Sequence, residues 1–283
     1  MNRLWILILA LPIACQNPAD STQASGAPTE AGTQEPTSGL PLTGPEGCFV
    51  GMFSAEVVDS ESDFSAQNKI TLCIDSLKNG VAYGRTFVAG NYRPFSGPYT
   101  QTSEGYEITG KEPGDDRYDG VFYFTLSQGE QKVKGRWKAN NKLQVTERTY
   151  ELERRQFRYD PALYLPEDVS WSVLYDQASQ YVDEGEFLTE AVAKLNPSLN
   201  ELKVSDVENM YKGDLEVLRN SIYARHGYTF RNRKMRYVFD RVDWYMPYSA
   251  DIRADLTPLE KKNIDLIQRY EQHAVKYYDS FGR

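Results

Sequence analysis

Residues 219–228 hold the side chains of this chain whose types and spacing best suit chemistry. Tyr223, Arg225, His226 and Tyr228 crowd together there, and His226 is one of only 2 histidines among 283 residues. An imidazole titrates near neutrality, so His226 suits general acid–base work, with Arg225 holding an anion and a tyrosine donating a proton. The rest of the sequence does not complete such a site. No serine or cysteine sits in a recognisable nucleophile motif, and no phosphate-binding loop is present. Cys48, Cys73 and two distant histidines lack the spacing of a zinc site. The expectation is no catalytic residue, no metal and no cofactor, with a hydrolase using His226 as an alternative.

The same letters have a structural reading. Asp214 can cap a helix that carries Leu215, Leu218, Ile222 and Tyr223 on one face. With His226 as its C-cap, Gly227 enters the left-handed region at no steric cost. Tyr223 and Tyr228 then occupy the two positions that touch in a Schellman closure. Arg225 and His226 lie in the last turn, where positive charge favours the exposed carbonyls.

Basic and aromatic residues follow closely. Residues 214–241 hold seven basic and three acidic side chains in an otherwise acidic protein. Arg225, His226, Arg231, Arg233, Lys234 and Arg236 are candidates for meeting an anionic glycan, cell-wall carboxylates or an acidic partner, although such a run also suits a solvated helix face. Trp244 and Tyr245 could stack on sugar rings, combining apolar area with a polar handle, or could pack in a core. Asp115, Asp116 and Asp119 before Gly120 lack the alternation of a calcium loop and read as a polar hairpin turn.

These residues need elements to position them. From residue 47 to about 160 the pattern has period two, with eight strand-like segments at 49–58, 70–75, 81–89, 97–101, 106–111, 121–126, 133–138 and 143–152. Turn clusters such as Lys78-Asn79-Gly80 separate them. Short strands with tight connections imply an antiparallel meander, either a barrel or a sandwich. Gly51-Met52-Phe53, Gly97-Pro98-Tyr99 and Gly135-Arg136-Trp137 repeat a glycine–aromatic theme, similar to small ligand-binding barrels of the lipocalin and avidin type. Residues 161–201 read as a helical connector, with Trp171, Leu174, Ala178 and Tyr181 on one helical face and a second short helix at 187–195. Residues 202–283 read as helical. Ser205 to Glu208 has capping-box spacing, and Thr257-Pro258-Leu259-Glu260 is a stronger helix start. Asn263 falls on the apolar face of that last helix and needs a hydrogen-bond partner. The fold class is α+β: an antiparallel β domain at 47–160, then a small all-α domain.

The first 14 residues read as an export signal, with Arg3 followed by an apolar run at 4–13 that is shorter than the roughly 20 residues a membrane span needs. Ala14-Cys15 resembles the lipobox of bacterial lipoproteins, which implies cleavage before Cys15 and lipid on that cysteine; plain secretion with a different cleavage point is the alternative. Residues 15–46, rich in small and polar types, read as a disordered tether. Removing residues 1–14 leaves 31 basic against 40 acidic side chains, a balance with no global attraction to nucleic acid. Cys48 and Cys73, outside the cytoplasm, are expected to form a disulfide; two buried thiols that never meet are the alternative.

One family resemblance covers the last part of the chain. Residues 214–270 resemble the YARHG domain, a bacterial extracytoplasmic module named for Tyr223-Ala224-Arg225-His226-Gly227. Asp214-Leu215, Arg219-Asn220, Tyr228, Phe230, Phe239, Trp244-Tyr245, Leu256-Thr257, Glu260 and Asn263-Ile264 extend the agreement. The resemblance implies a small exported domain, often attached to other modules, with no established reaction and no catalytic residues to carry over. The resulting expectation is an outer-membrane lipoprotein with a non-catalytic binding role, its ligand a glycan, peptidoglycan or an envelope protein. A carrier of a small apolar ligand inside the β domain is the alternative.

Overall fold

The computed structural model describes residues 44–56, 66–127, 129, 132–167 and 188–277. Cys15, most of the tether and the helix expected around Trp171 and Tyr181 lie outside the described residues.

Eight strands form where the sequence alternates: β1 (Gly47–Ala55), β2 (Gln67–Lys78), β3 (Val81–Val88), β4 (Asn91–Thr102), β5 (Gly105–Lys111), β6 (Gly120–Ser127), β7 (Lys132–Ala139) and β8 (Glu147–Arg154). Each pairs antiparallel with the next, and β1 closes on β8, so the sheet is a barrel and not a sandwich. Asn79-Gly80 joins β2 to β3 with φ of 52° and 76°, the positive values a two-residue hairpin requires. Ala89-Gly90 repeats this at the β3–β4 turn with φ of 50° and 82°.

The lumen is filled by aromatic side chains. Phe53 lies 5.9 Å from Trp137, 5.9 Å from Tyr150 and 6.2 Å from Phe122, ring centre to ring centre. Gly51 lets β1 approach β8 closely, because a Cβ there would sit 2.6 Å from the Glu151 carbonyl of the neighbouring strand. The expected start of the last strand at Leu143 is corrected. β8 begins at Glu147, and Leu143, Gln144 and Val145 instead line a cavity at one barrel end.

Among the described residues the second half has helices α1 (Ala191–Lys194), α2 (Val204–Val207), α3 (Lys212–Arg225), α4 (Arg233–Phe239) and α5 (Pro258–Tyr277). Leu215 and Leu218 of α3, Val238 and Phe239 of α4 and Ile267 of α5 are fully buried together. Each such side chain contributes about 1.5–3 kcal/mol on leaving water. α5 starts as its sequence indicates: Thr257 Oγ1 accepts from the Glu260 N–H at 3.2 Å, and Glu260 Oε2 accepts from the Thr257 N–H at 2.9 Å. Asn263 is fully buried and satisfied, donating to the Pro197 and Asn200 carbonyls and accepting from the Leu202 N–H.

Two helix starts differ from expectation. Asp214 is the third residue of α3, not its cap; its carboxylate accepts from Tyr211 N–H and from the backbone and hydroxyl of Thr189. Ser205 lies inside α2, whose cap is Lys203, with Asp206 Oδ2 taking the Lys203 N–H at 2.7 Å. In both cases the acid reaches back to the exposed N–H groups from the third helical position, which serves as well as a side chain at the cap.

Barrel and helices fall in one compact unit. The outer faces of β1, β2 and β3 present Cys48, Val50, Cys73 and Phe87 to Met246, with Phe157 and Tyr248 packed alongside. Cys48 and Cys73 stand opposite one another in the β1–β2 register and are joined by a disulfide. Lys69 of β2 donates its N–H to Asp240 at 2.8 Å and its ammonium to the Val242 carbonyl at 2.7 Å. Burial pushes Asp240 up to about 6 and Lys69 down to about 8, each partly offset by the other's charge. No helix among the described residues is long and apolar enough to cross a membrane.

Candidate functional site

The motif residues are buried under the segment that leaves the barrel. α3 ends in a Schellman closure: the Gly227 N–H donates to the Ala224 carbonyl at 2.9 Å and the Tyr228 N–H to the Tyr223 carbonyl at 3.0 Å. Gly227 has φ of 70°, and the Tyr223 and Tyr228 rings meet edge-on with centres 6.2 Å apart. Residues 155–165 then run across this helix end. Phe157 stacks on Tyr248 at 4.7 Å, Tyr159 stacks on His226 at 4.3 Å, and the Leu163 carbonyl accepts from Arg225 Nε at 2.7 Å. Three motif residues thus grip one segment: Arg225 by its guanidinium, His226 by its ring face and Gly227 by its bareness.

Chemistry at His226 would have to begin from a closed site. His226 Nε2 lies 2.8 Å from Glu260 Oε2, and Glu260 Oε1 accepts from Tyr159 Oη at 3.1 Å. Burial acts to raise the Glu260 pKa, but bonds from His226 and the Thr257 N–H outweigh it and leave the carboxyl below its ordinary value. Burial lowers Arg225 to about 10, offset in part by Glu260. Its guanidinium also bonds Ser221 Oγ at 2.9 Å and lies over the Trp244 ring.

The eight candidate binding residues do not form one surface. Arg225 and His226 are buried as described, and Tyr245 is buried with its hydroxyl donated to the Tyr228 carbonyl at 2.7 Å. Lys234 is buried in an ion pair with Glu216 at 2.7 Å. Trp244 donates Nε1–H to the Tyr164 carbonyl, clamping the crossing segment again. Arg231 is exposed, its Nε directed to the Gly90 carbonyl of the β3–β4 turn. Only Arg233 and Arg236, both on α4, face a common space.

That space is the barrel mouth, a cavity of about 520 Å³. Phe53, Phe122 and Trp137 form an aromatic floor, Asn68, Arg93, Glu112 and Arg148 stand at the strand ends, and Arg233 and Arg236 come from the helical half. Arg148 donates to the Phe53 and Ala66 carbonyls, at 3.1 Å and 3.3 Å. Burial, and then the nearby charge of Arg236, lower its pKa to about 10. Glu112 Oε2 accepts from the Gly120 N–H at 2.7 Å and from Trp137 Nε1–H at 3.0 Å, yet burial still raises the carboxyl to about 7. Arg93 pairs with Asp116 at 2.8 Å and with fully buried Asp119 at 3.2 Å, which ties down the acidic turn beside the mouth. Asn68 is 6% exposed, and among the described residues nothing hydrogen-bonds its Oδ1 or the Nε of Arg236.

Asn68, Glu112 and Arg148 are not among the candidates expected from the sequence, although strand parity marks two of them. Asn68 precedes Ile70 and Leu72 on the inward face of β2, and Arg148 precedes Tyr150 and Leu152 on that of β8. Polar residues in an otherwise apolar inward row are out of place in a packed core and in place at a ligand site.

No curated protein and no solved structure is similar enough to the chain to count as a match. Residues 192–272 match the YARHG domain family, so the helical part of this chain is a YARHG domain.

Proposed function

We propose that this is an exported, non-catalytic binding protein whose ligand enters the barrel mouth, with the YARHG domain forming one wall of the site. The observation that carries the reading is the cavity itself. Its volume of about 520 Å³ falls in the range of small-molecule sites, and a buried amide oxygen, Asn68 Oδ1, is left there without a partner. A buried acceptor without a partner costs about 1–3 kcal/mol, and a ligand that supplies a donor recovers it. The export signal and Cys15 extend the reading to a lipid-anchored protein of the bacterial envelope. The YARHG motif keeps the segment after β8 in place, and through it the wall; catalysis by His226 has no part in this reading.

The test is a small-molecule thermal-shift screen on the wild type and on Val88→Trp, which places an indole in the mouth. Compounds that raise the melting temperature of the wild type but not of the variant support the proposal. A broad screen that shifts neither protein, or both equally, overturns it.

A groove on the YARHG domain favours a second reading. Tyr223, Tyr228, Phe230 and Arg231 line about 590 Å³ of surface beside α3, aromatic and basic chemistry suited to a glycan. Salt-sensitive retention on purified peptidoglycan or polysaccharide, lost in Tyr228→Ala with Arg231→Ala, supports it; no retention at low salt excludes it.

A further inference from the structure

We infer that the barrel mouth selects a small organic anion: a carboxylate or sulfonate head carried on a flat apolar body that also bears a hydrogen-bond donor. The inference rests on the barrel-mouth reading above and names its ligand class. Three observations converge on it.

Among the described residues the lining contains five arginines and a single glutamate, in a protein whose overall charge is −8. Arg148 and Arg236 lie close enough for the charge of one to disfavour that of the other. An anion between two guanidiniums turns that repulsion into attraction, and guanidinium–carboxylate bonds are among the stronger polar contacts. Arg236 Nε has no acceptor among the described residues, so part of this hydrogen-bonding capacity is unspent. Asn68 Oδ1, nine-tenths buried and equally without a partner, asks for a donor and not for a second anion. The floor is aromatic, formed by Phe53, Phe122 and Trp137, which offers stacking to a flat body and nothing to a bare inorganic ion. Glu112 Oε2 takes the Trp137 and Gly120 N–H groups, and its charge acts on Arg93.

Two fluorescent probes of similar shape separate the outcomes: anionic 1-anilinonaphthalene-8-sulfonate and neutral N-phenyl-1-naphthylamine. Both are titrated into the wild type, Arg236→Met, Asn68→Leu and Val88→Trp, with near-ultraviolet circular dichroism showing that each variant keeps its tertiary packing. The expected result is one saturable sulfonate site on the wild type, displaced by 4-hydroxybenzoate, weakened about tenfold or more in Arg236→Met and abolished in Val88→Trp. Asn68→Leu weakens displacement by 4-hydroxybenzoate more than displacement by benzoate, because only the former brings the donor. If the neutral probe binds as tightly as the sulfonate and Arg236→Met changes neither, the anion assignment fails and the mouth remains a binding site of other specificity. If neither probe distinguishes the wild type from Val88→Trp, the barrel-mouth reading fails with it. Should Arg236→Met lose its dichroism, Arg236→Lys, which keeps the charge but removes Nε, takes its place with an expected intermediate loss.

Discussion

His226 Nε2 and Glu260 Oε2 lie 2.8 Å apart, both buried, joining the C-terminus of α3 to the N-terminus of α5. One carboxylate oxygen therefore serves the histidine and the helix cap together, since the same Oε2 accepts the Thr257 N–H. Glu260→Gln keeps the shape but loses the charge-assisted bond, and Glu260→Ala also strips the cap. Destabilisation of about 1–3 kcal/mol is expected for the first and about 3–5 kcal/mol for the second, read by urea unfolding at pH 7. The folded-state pKa of Glu260 is depressed, so its contribution is complete above the ordinary carboxylate value and is lost as the pH falls through the folded one. The gap between wild type and Glu260→Gln should close on acidification. A gap that does not narrow on acidification would show that the ionised carboxylate is not what stabilises the pair.

Gly227 tests whether the motif works by backbone shape or by contact. At φ of 70° an alanine is strained, and its Cβ would also lie 2.7 Å from the Phe157 ring, which stacking on Tyr248 holds in place. Gly227→Ala should therefore cost more than the 1–2 kcal/mol of left-handed strain alone. Asparagine tolerates the left-handed region but carries the same Cβ, so Gly227→Asn should not rescue stability. Recovery in the asparagine variant, measured by denaturant midpoint, would assign the whole effect to backbone strain.

Local chemistry was legible in the sequence and long-range convergence was not. Asn79-Gly80 announces its hairpin, Thr257 with Glu260 announces a helix start, and Gly227 announces a helix end, because each depends on neighbours within a few residues. Phe49, Phe53, Ile70 and Leu72 of the inward rows follow the period-two pattern, which left a barrel and a sandwich equally open. The cavity was not legible. Asn68, Arg148 and Arg236 meet only because β1 closes on β8 and because α4 is anchored to Lys69 through Asp240. The burial of Arg225 and His226 was equally hidden, since the chain that covers them, around Tyr159 and Leu163, has no regular pattern to read.

The Cys48–Cys73 bridge spans 25 residues and ties β1 to β2 at one edge of the contact with Met246. Reduction frees that loop in the unfolded chain and should lower stability by about 3 kcal/mol on loop-entropy grounds. Because both cysteines are buried against the YARHG domain, the double variant Cys48→Ala with Cys73→Ala should also expose that contact. Limited proteolysis should then cut within residues 155–165 faster than in the wild type. Unchanged cleavage with lowered stability would confine the bridge to the barrel.

Glu112 gives a pH dependence opposite in sign to that of Glu260. Its carboxyl is raised to about 7 by burial, despite accepting from Gly120 and Trp137. The folded protein therefore holds a proton that the unfolded chain releases at the ordinary carboxylate value. Stability from this group is full below about pH 4.5 and is lost as the pH rises through about 7. The difference across that window is about 3 kcal/mol at 1.36 kcal/mol per pKa unit. Glu112→Gln retains an acceptor for both N–H groups and removes the ionisation, so it should be the more stable protein at pH 8 and nearly equal to the wild type at pH 4.5. Guanidinium unfolding of the two proteins at both values measures this directly. Equal stability at pH 8 would mean that the ionised Glu112 is solvated at the barrel mouth. Trp137 fluorescence should shift across the same range in the wild type and not in Glu112→Gln, because the indole N–H bonds the titrating oxygen.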